Sequence, residues 1–304
     1  MYHNPVLLHP SVDGMMTDPD GIYVDVTFGG GGHSALILQK LGPQGRLIAF
    51  DQDPDAAANV PQDPRFQFVP SNFSNLKKFL QYYNGCPADG ILADLGVSSH
   101  QFDTPDRGFS HRFDGLLDMR MNSTRGLTAA EVVNRYPAAA LADLFYKYGE
   151  LANARQIAAR IEESRETPIR TTNDLVNVLT PLLPHGKENK TLSQVFQALR
   201  IEVNEEMEVL RSFLTQAAEV LKPGGRLAVI SYHSLEDRLV KNFMKAGNFE
   251  GNVEKDFYGN PLTPFEPITR KAVVPDDAET GVNPRARSAK LRIAARRRPH
   301  PMTP

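Results

Sequence analysis

The sequence of 304 residues has no tryptophan, a single cysteine and no long apolar run. One cysteine, Cys86, cannot form an internal disulfide or a thiolate metal cluster, so the sequence predicts a protein of the reducing cytoplasm. No apolar stretch approaches the roughly 18 residues that a membrane helix requires. The N-terminus also lacks a basic segment followed by an apolar one, so neither a signal peptide nor a membrane partner is predicted.

What is present is an ordinary globular composition, with 41% apolar and 23% charged residues. The formal net charge is −2, but the charges are unevenly distributed. Residues 283–304 hold seven Arg or Lys and no acid, which leaves 27 − 36 = −9 for residues 1–282. An acidic body with a basic end predicts that a polyanion is contacted locally and not across the whole surface.

Short β-rich runs alternate with helical stretches over residues 20–100. Strands are predicted at 22–26, 45–51, 66–69 and 90–94, and helices at 33–41 and 76–83. Strands separated by helices of this length indicate βαβ units and a parallel sheet. A further buried strand is predicted to follow the turn at Pro223-Gly-Gly.

From about Phe102 the alternation stops and helical patterns take over. Thr128-Ala-Ala-Glu131 is a capping box, and Pro137 suits the first residue of a helix. Further helices are predicted over 152–166 and 173–183. No strand-like run of any length lies between Leu127 and Val220, which indicates an all-helical segment.

Apolar residues recur at threes and fours from Thr191 to Leu221. This pattern predicts a helix of about 30 residues, which either bridges two domains or breaks near Asn204. The sequence therefore predicts one α/β sheet domain, formed by residues 1–104 and 205–304. An inserted all-helical domain, residues 105–204, interrupts it.

The strongest local signal is Asp25-Val-Thr-Phe-Gly-Gly-Gly-Gly-His33, between a predicted strand and a predicted helix. Glycines let the backbone turn sharply and let a ligand approach the main chain. Asp51 ends the next strand, where an acid can accept hydrogen bonds from both ribose hydroxyls. Each feature alone also fits a tight turn or a surface acid, but together they predict nucleoside binding.

The glycines do not match the dinucleotide fingerprint, because Ser34 stands at the position of its third glycine. No Lys-Ser/Thr follows them, which excludes a P-loop. Nothing marks Ser234, beside His233, as a nucleophile, and the eight histidines show no metal-ligand spacing. Asp25, the glycine loop, Asp51, Asp94 and the late Lys-Pro-Gly-Gly strand together resemble a class I S-adenosylmethionine-dependent methyltransferase.

Longer blocks make the resemblance specific, and they run in order from the N-terminus to about residue 294. The blocks are Ala93–Gln101, Arg107–Ser110, Asp114–Met121, Phe196–Asn204, Ser231–Arg238 and Asn283–Ser288. They look like the bacterial family that methylates the exocyclic N4 of a cytosine in the decoding centre of small-subunit ribosomal RNA. Ser193-Gln-Val departs from that family, since it replaces a more basic stretch.

The resemblance implies a Rossmann-like sheet domain with an RNA-recognising helical insertion, S-adenosylmethionine as cofactor and no metal. It implies cofactor contacts at Gly31, Gly32, His33, Asp51, Phe73, Asp94 and Gln101. A sulfonium methyl is already a good electrophile, so the enzyme must supply placement of the amine and acceptors for its hydrogens. Asp94, with Ser98 and Ser99 after it, is the predicted source of those acceptors, and Asp94 is the predicted catalytic residue.

Two basic segments are predicted to contact RNA, through residues that include Arg107, Arg120, His233, Arg285 and Arg287. The C-terminal tail, Arg285 to Arg298, is suited to binding phosphates, although a solvated basic end has the same composition. The second cluster comprises Arg107, Arg112, Arg120 and Arg125 beside Phe109 and Phe113, a combination suited to phosphate contact and base stacking. Salt bridges from Asp106, Asp114 and Asp118 to these arginines would instead give a loop with a purely structural role.

The predicted partner is small-subunit ribosomal RNA, either free or in a ribosomal particle. Two other function classes stay open at this point: a nucleotide-binding module or NAD enzyme on the same sheet, and an RNA-binding assembly factor without chemistry. The sequence is equally compatible with a monomer and a homodimer.

Overall fold

The structure is a computed structural model that describes residues 5–298. The chain forms two compact units, one made of residues up to 96 and from 208 onward, the other of residues 97–207. The second unit thus begins at 97 where the insertion was predicted from 105, and it ends at 207 where 204 was predicted. The two units are described separately below.

Seven strands form one sheet in the first unit. They are β1 (Ile22–Asp25), β2 (Arg46–Phe50), β3 (Phe66–Val69), β4 (Ala88–Asp94), β5 (Leu221–Ser231), β6 (Phe265–Pro267) and β7 (Lys290–Arg296). Their order in the sheet is β3-β2-β1-β4-β5-β7-β6. The first five are parallel, whereas β7 runs antiparallel to both β5 and β6.

The order 3-2-1-4-5 is that of a doubly wound Rossmann-like sheet, which confirms the predicted α/β class. The strand interiors are apolar and fully buried, as at Val24, Ile48, Ile91 and Val229, because helices cover such parallel sheets on both faces. The strand order reverses between β1 and β4. Ligands of open α/β sheets bind at the carboxyl ends of the strands at such a point.

The helices follow in chain order. They are α1 (Leu8–Met15), α2 (Gly32–Lys40), α3 (Leu76–Tyr82), α4 (Ser99–Asp103), α5 (Ala129–Arg135), α6 (Ala138–Gly149), α7 (Ala154–Glu163), α8 (Thr172–Leu179), α9 (Glu188–Val203), α10 (Glu206–Val220), α11 (Ser234–Ala246) and α12 (Asp277–Val282). Among residues 5–298, none of these helices combines the length and apolar character needed to cross a bilayer.

The second unit is helical around its own core, which includes Leu141, Phe145, Ile161, Val195 and Leu199. Within the described residues 97–207 there is no named strand, only an isolated bridge between Leu116 and Thr171. The predicted capping box forms, since Thr128 and Glu131 cap α5 reciprocally. Pro137 was predicted to be a first helical residue, but it is the cap before α6.

The predicted basic tail was wrong as a tail, because most of it is strand β7 within the sheet. Arg292 is paired with Asp237 of α11, with 2.7 Å between Nε and Oδ1. Arg296 donates from Nη1 to the Pro264 carbonyl at 2.9 Å. These cations therefore hold the sheet edge together, and residues 299–304 of the predicted tail lie outside the described residues.

The long amphipathic segment breaks at Asn204, as one of the two alternatives predicted. The helix α9 ends at Val203 and α10 begins at Glu206, with Glu205 at a φ of 50° between them. The Asn204 side chain accepts from the Met121 N–H at 2.7 Å and donates to the carbonyls of Met119 at 2.8 Å and Arg200 at 2.9 Å. One amide thus fixes both the helix end and the loop before α5.

We expect Asn204→Ala to destabilise the second unit by about 2–3 kcal/mol, because three hydrogen bonds are lost and main-chain groups of the loop lose their partner. The measurement is the denaturant midpoint, followed by a probe placed in residues 97–207. Asn173→Ala, at an exposed position of α8, is the matched control. Equal midpoints for the two variants would contradict the role given to Asn204.

Candidate active site

The glycine loop joins β1 to α2 and is shaped by two close approaches. Gly31 has a φ of 78° and caps α2, a conformation that favours glycine. A Cβ on Gly31 would lie 3.1 Å from the Phe28 ring, and one on Gly32 would overlap the ring of Pro5. The first turn of α2 therefore presents main-chain N–H groups without bulk, which suits an anionic or carbonyl-rich ligand group.

Asp25, at the end of β1, is almost wholly buried, with 1% of its surface exposed. Its Oδ2 accepts from the Ser34 hydroxyl at 2.8 Å, and its Oδ1 accepts from the Thr27 N–H at 3.1 Å. Burial nevertheless raises the pKa of Asp25 above its usual value. Ser34 thus stands where a dinucleotide-binding loop has glycine because it supplies a donor to this carboxyl group.

Asp51, directly after β2, holds the glycine loop to the second strand. Its Oδ2 accepts from the Gly29 N–H at 2.7 Å, and its Oδ1 accepts from the Asp53 N–H at 2.8 Å. Burial raises the pKa of Asp51 to about 6 in spite of these two donors. Each carboxylate oxygen keeps further lone-pair capacity, so the predicted bonds to ribose hydroxyls are compatible with this geometry.

Asp94, at the end of β4, lies beside His33 and Tyr232. Its Oδ1 accepts from the Tyr232 hydroxyl at 2.8 Å, and its Oδ2 lies 3.9 Å from Nδ1 of His33. Its main-chain N–H donates to the Thr27 hydroxyl at 2.7 Å. Burial raises the pKa of Asp94 to about 6, while His33 and the Tyr232 hydrogen bond act in the opposite direction.

Phe73 opens a short 3-10 helix after β3 and is half-buried. Its ring packs edge-on against Phe213, with centroids 5.3 Å apart. Asn72, just before it, donates from Nδ2 to Oε1 of Gln52 at 2.8 Å, which ties this segment to the residue after Asp51. Phe73 is therefore part of the core, and its predicted contact with adenine stays a prediction.

The first unit thus brings Gly31, Gly32, His33, Asp51 and Asp94 to the carboxyl ends of β1, β2 and β4. Three predicted residues belong to the second unit: Ser98, Ser99 and Gln101. There Ser98 and Gln101 cap α4 reciprocally, with 3.2 Å from the Gln101 N–H to Oγ and 3.1 Å from the Ser98 N–H to Oε1. Gln101 is buried, and Ser99 is the first residue of that helix.

The arginines of the loop before α5 have structural partners. Arg120 forms a two-point ion pair with Asp118, with distances of 2.9 and 2.7 Å. Arg107 donates from Nη2 to the carbonyls of Arg120 at 3.1 Å and Met121 at 3.0 Å. For these two residues the geometry favours the alternative of a loop held by its own contacts.

The remaining predicted RNA contacts lie in the first unit. His233 caps α11, where Nδ1 accepts from the Glu236 N–H at 3.4 Å, so its ring has a structural role as well. Arg285 and Arg287 lie in a 3-10 helix before β7, and both are exposed. Their exposure makes these two the predicted cations best placed to reach phosphates.

Sequence reasoning did not identify Tyr232, Thr27 or Asn59 as parts of this site. Tyr232 directly follows β5, which pairs with β4 through Asp94 and Ile230. Parallel strands end at the same edge of a sheet, so the residue after each strand is a candidate, and this signal could have found Tyr232. Asn59 donates to the Gly29 carbonyl at 3.0 Å, a contact that no spacing in the sequence indicates.

The raised pKa of Asp51 predicts how stability depends on pH. The pKa is about 6 in the fold and 3.8 for the ordinary group, so the folded state binds this proton more tightly. Stability therefore falls as pH rises through this window, by about 3 kcal/mol at most from this residue. We expect Asp51→Asn to lose less stability than wild type between pH 4 and pH 7, as measured by thermal midpoints.

Asp63→Asn is the matched control for that experiment. Hydrogen bonds from Arg65 lower the pKa of Asp63 to about 2, so its contribution is already complete at pH 4. Its midpoints should follow the wild-type curve between pH 4 and pH 7. An Asp51→Asn curve parallel to both would refute the burial effect.

Comparison with known proteins agrees with this architecture. The description of the MraW methylase family matches residues 1–297. Ribosomal RNA small subunit methyltransferase H of Parabacteroides distasonis is 60% identical over 295 residues, covering 96% of this chain and 97% of its own. The protein of the same name from Bacteroides thetaiotaomicron is 59% identical, covering 97% and 98%.

Among solved structures, an rRNA methylase from Streptococcus thermophilus covers 97% of this chain and 99% of its own, with 12% identity and a TM-score of 0.42. The family match spans nearly the whole chain, including both units and all predicted site residues. The chain belongs to the MraW methylase family.

Proposed function

We propose that this protein transfers the methyl group of S-adenosylmethionine to the exocyclic N4 of a cytidine in the decoding centre of small-subunit ribosomal RNA, in the cytoplasm. Relatives about as long as this chain, 59–60% identical to it, are named as ribosomal RNA small subunit methyltransferases. The observation that carries the proposal is the meeting of Gly31–His33, Asp51 and Asp94 at the carboxyl ends of three adjacent strands.

The residues present fit this cofactor. The bare first turn of α2 suits its carboxylate, and Asp51 suits its ribose hydroxyls. Phe73 supplies an aromatic ring after β3 for the adenine. Asp94 and His33 place two acceptors 3.9 Å apart, which suits an ammonium group. Gln101 is proposed to complete the pocket.

When bound, the cofactor supplies a methyl group on a sulfonium centre, which is electrophilic without assistance. The chain must therefore hold the target amine in line and accept its hydrogens as the nitrogen becomes a nucleophile. Because burial raises the pKa of Asp94 only to about 6, the group is mainly ionised at neutral pH and is an acceptor there. Asp94 is the proposed catalytic residue, and Ser98 and Ser99 are proposed to orient the base.

We further propose that the helical unit, residues 97–207, recognises the RNA substrate as free RNA or in a ribosomal particle. A base within folded RNA must leave its stack to reach a methyl donor, which requires contacts beyond the sheet. Arg285 and Arg287 are exposed and suited to phosphates. Arg107, Arg120 and His233 are proposed contacts of lower exposure, through groups that their structural bonds leave available.

The proposed reaction is tested by incubating the protein with S-adenosylmethionine labelled at the methyl group and with small-subunit particles or naked RNA. Digestion to nucleosides should place the label in N4-methylcytidine. Label at C5 or on ribose would refute the atom assignment. RNA binding that depends on salt but gives no labelled product would instead favour an assembly factor without chemistry.

We expect Asp51→Ala to weaken S-adenosylmethionine binding by about 1–3 kcal/mol, because hydrogen bonds to the ribose hydroxyls are lost and the glycine loop loses its Gly29 partner. Calorimetric titration of the protein measures this change. Asp63→Ala removes a carboxylate of the same unit whose partner is Arg65, and it is the matched control. Unchanged affinity in Asp51→Ala would remove Asp51 from the site.

We expect the double variant Arg285→Gln/Arg287→Gln to bind RNA more weakly and to reduce the slope of log K against log salt by roughly 1–2, as expected for two phosphate contacts. Cofactor affinity should not change. The control is Arg270→Gln/Lys271→Gln, two exposed cations of the same unit. An unchanged slope in the first variant would show that Arg285 and Arg287 are only solvated.

A further inference from the structure

The two oxygens of the Asp94 carboxylate have different surroundings. Oδ1 accepts the Tyr232 hydroxyl at 2.8 Å. Oδ2 has no hydrogen-bond donor among residues 5–298, and 23% of the side chain remains accessible. Since a buried carboxylate is stable only when its lone pairs are used, Oδ2 is the oxygen left for a ligand.

The His33 ring adds a second acceptor near Oδ2. Its Nε2 lies 3.1 Å from the Val6 carbonyl, which can only accept, so the hydrogen of the neutral ring is on Nε2. Nδ1 then carries a lone pair and lies 3.9 Å from Oδ2 of Asp94. Two acceptors at this separation fit one nitrogen that carries at least two hydrogens.

Tyr232 is itself held firmly at the end of β5. Its main-chain N–H donates to Oε2 of Glu236 at 2.9 Å, within the cap of α11. Its ring lies against Gly96, where an added Cβ would be 3.6 Å from Cδ2. The hydroxyl therefore has a fixed position relative to the end of β4, which pairs with β5 through Asp94.

We propose that Tyr232 is a positioning residue, whose hydroxyl holds Oδ1 of Asp94 so that Oδ2 faces the amine of a bound ligand. The inference rests on the proposed function and deepens it. The amine is either the ammonium group of the cofactor or the N4 amine of the target cytosine, because both donate at least two hydrogens. Tyr232 acts through Asp94 and touches neither ligand.

The pH dependence of Asp94 reports directly on this contact. Asp94 is faced by His33 of α2, Asp25 of β1, Glu236 of α11 and Tyr232 after β5. The Tyr232 hydrogen bond and His33 lower the pKa of Asp94, whereas burial and the two carboxyl groups raise it. Loss of the hydroxyl removes one lowering effect, so the pKa of Asp94 must rise.

The first test is Tyr232→Phe in the full chain, with Tyr23→Phe as control. Tyr23 has an equally engaged hydroxyl, bonded to Thr17 and Asp18 away from the site. Titration of the Asp94 carboxyl carbon by NMR should show a higher pKa in Tyr232→Phe and the wild-type value in Tyr23→Phe. Because this readout needs no turnover, an unmoved pKa in Tyr232→Phe overturns the inference even if the proposed reaction fails.

The second test separates the two sources of the amine. An increase of about tenfold in the Kd of S-adenosylmethionine assigns Oδ2 to the cofactor ammonium. A decrease of about tenfold in kcat with unchanged Kd, and an acid limb moved to higher pH, assigns it to the cytosine amine. If neither constant changes, the positioning role is refuted, whereas a wild-type protein that methylates no RNA refutes the proposed function instead.

A double-mutant cycle then tests whether Tyr232 acts through Asp94. The Tyr232→Phe effect should disappear in an Asp94→Asn background, because the carboxylate to be oriented is absent. Additive effects would mean that Tyr232 acts on the ligand or on the fold by another route. That result would overturn the inference.

Discussion

The hydrogen bond from the Gly29 N–H to Asp51 is the contact on which the ligand-binding end of the sheet depends. It joins the loop after β1 to the end of β2 at 2.7 Å, and Asn59 holds the Gly29 carbonyl from the other side. A loop of four glycines has little preference for one conformation, so its shape must be imposed by partners outside it. The carboxylate expected to recognise ribose therefore also builds the cradle for the rest of the ligand.

Burial of acidic groups follows from the same arrangement. The pKa values of Asp25, Asp51 and Asp94 are all raised by burial, although main-chain and hydroxyl donors reach each of them. Three carboxyl groups at neighbouring strand ends favour a ligand that brings hydrogen-bond donors and positive charge. A sulfonium compound with an ammonium group and two ribose hydroxyls meets both requirements, so its binding relieves a desolvation cost already present in the fold.

Much of this architecture could be predicted from sequence, for physical reasons. The first four strands are continuous apolar runs closed by acids, so periodicity and strand-end chemistry located Asp51 and Asp94. Strand β7 was missed because Arg292 and Arg296 hide its alternation, and their partners Asp237 and Pro264 are remote in sequence. Tyr232 was missed because its role comes from the pairing of β4 with β5, more than 120 residues apart in the chain.

The position of β7 between β5 and β6 also affects how the chain folds during synthesis. β6 pairs only with β7 among the described strands, and β7 ends at Arg296, close to the C-terminus. The helical unit has mostly local contacts and is made first, so it can form while the sheet still lacks three strands. On the ribosome, the sheet is therefore left with an open edge at β4 until translation is nearly finished, and assembly of this edge is expected to be the slow step of folding.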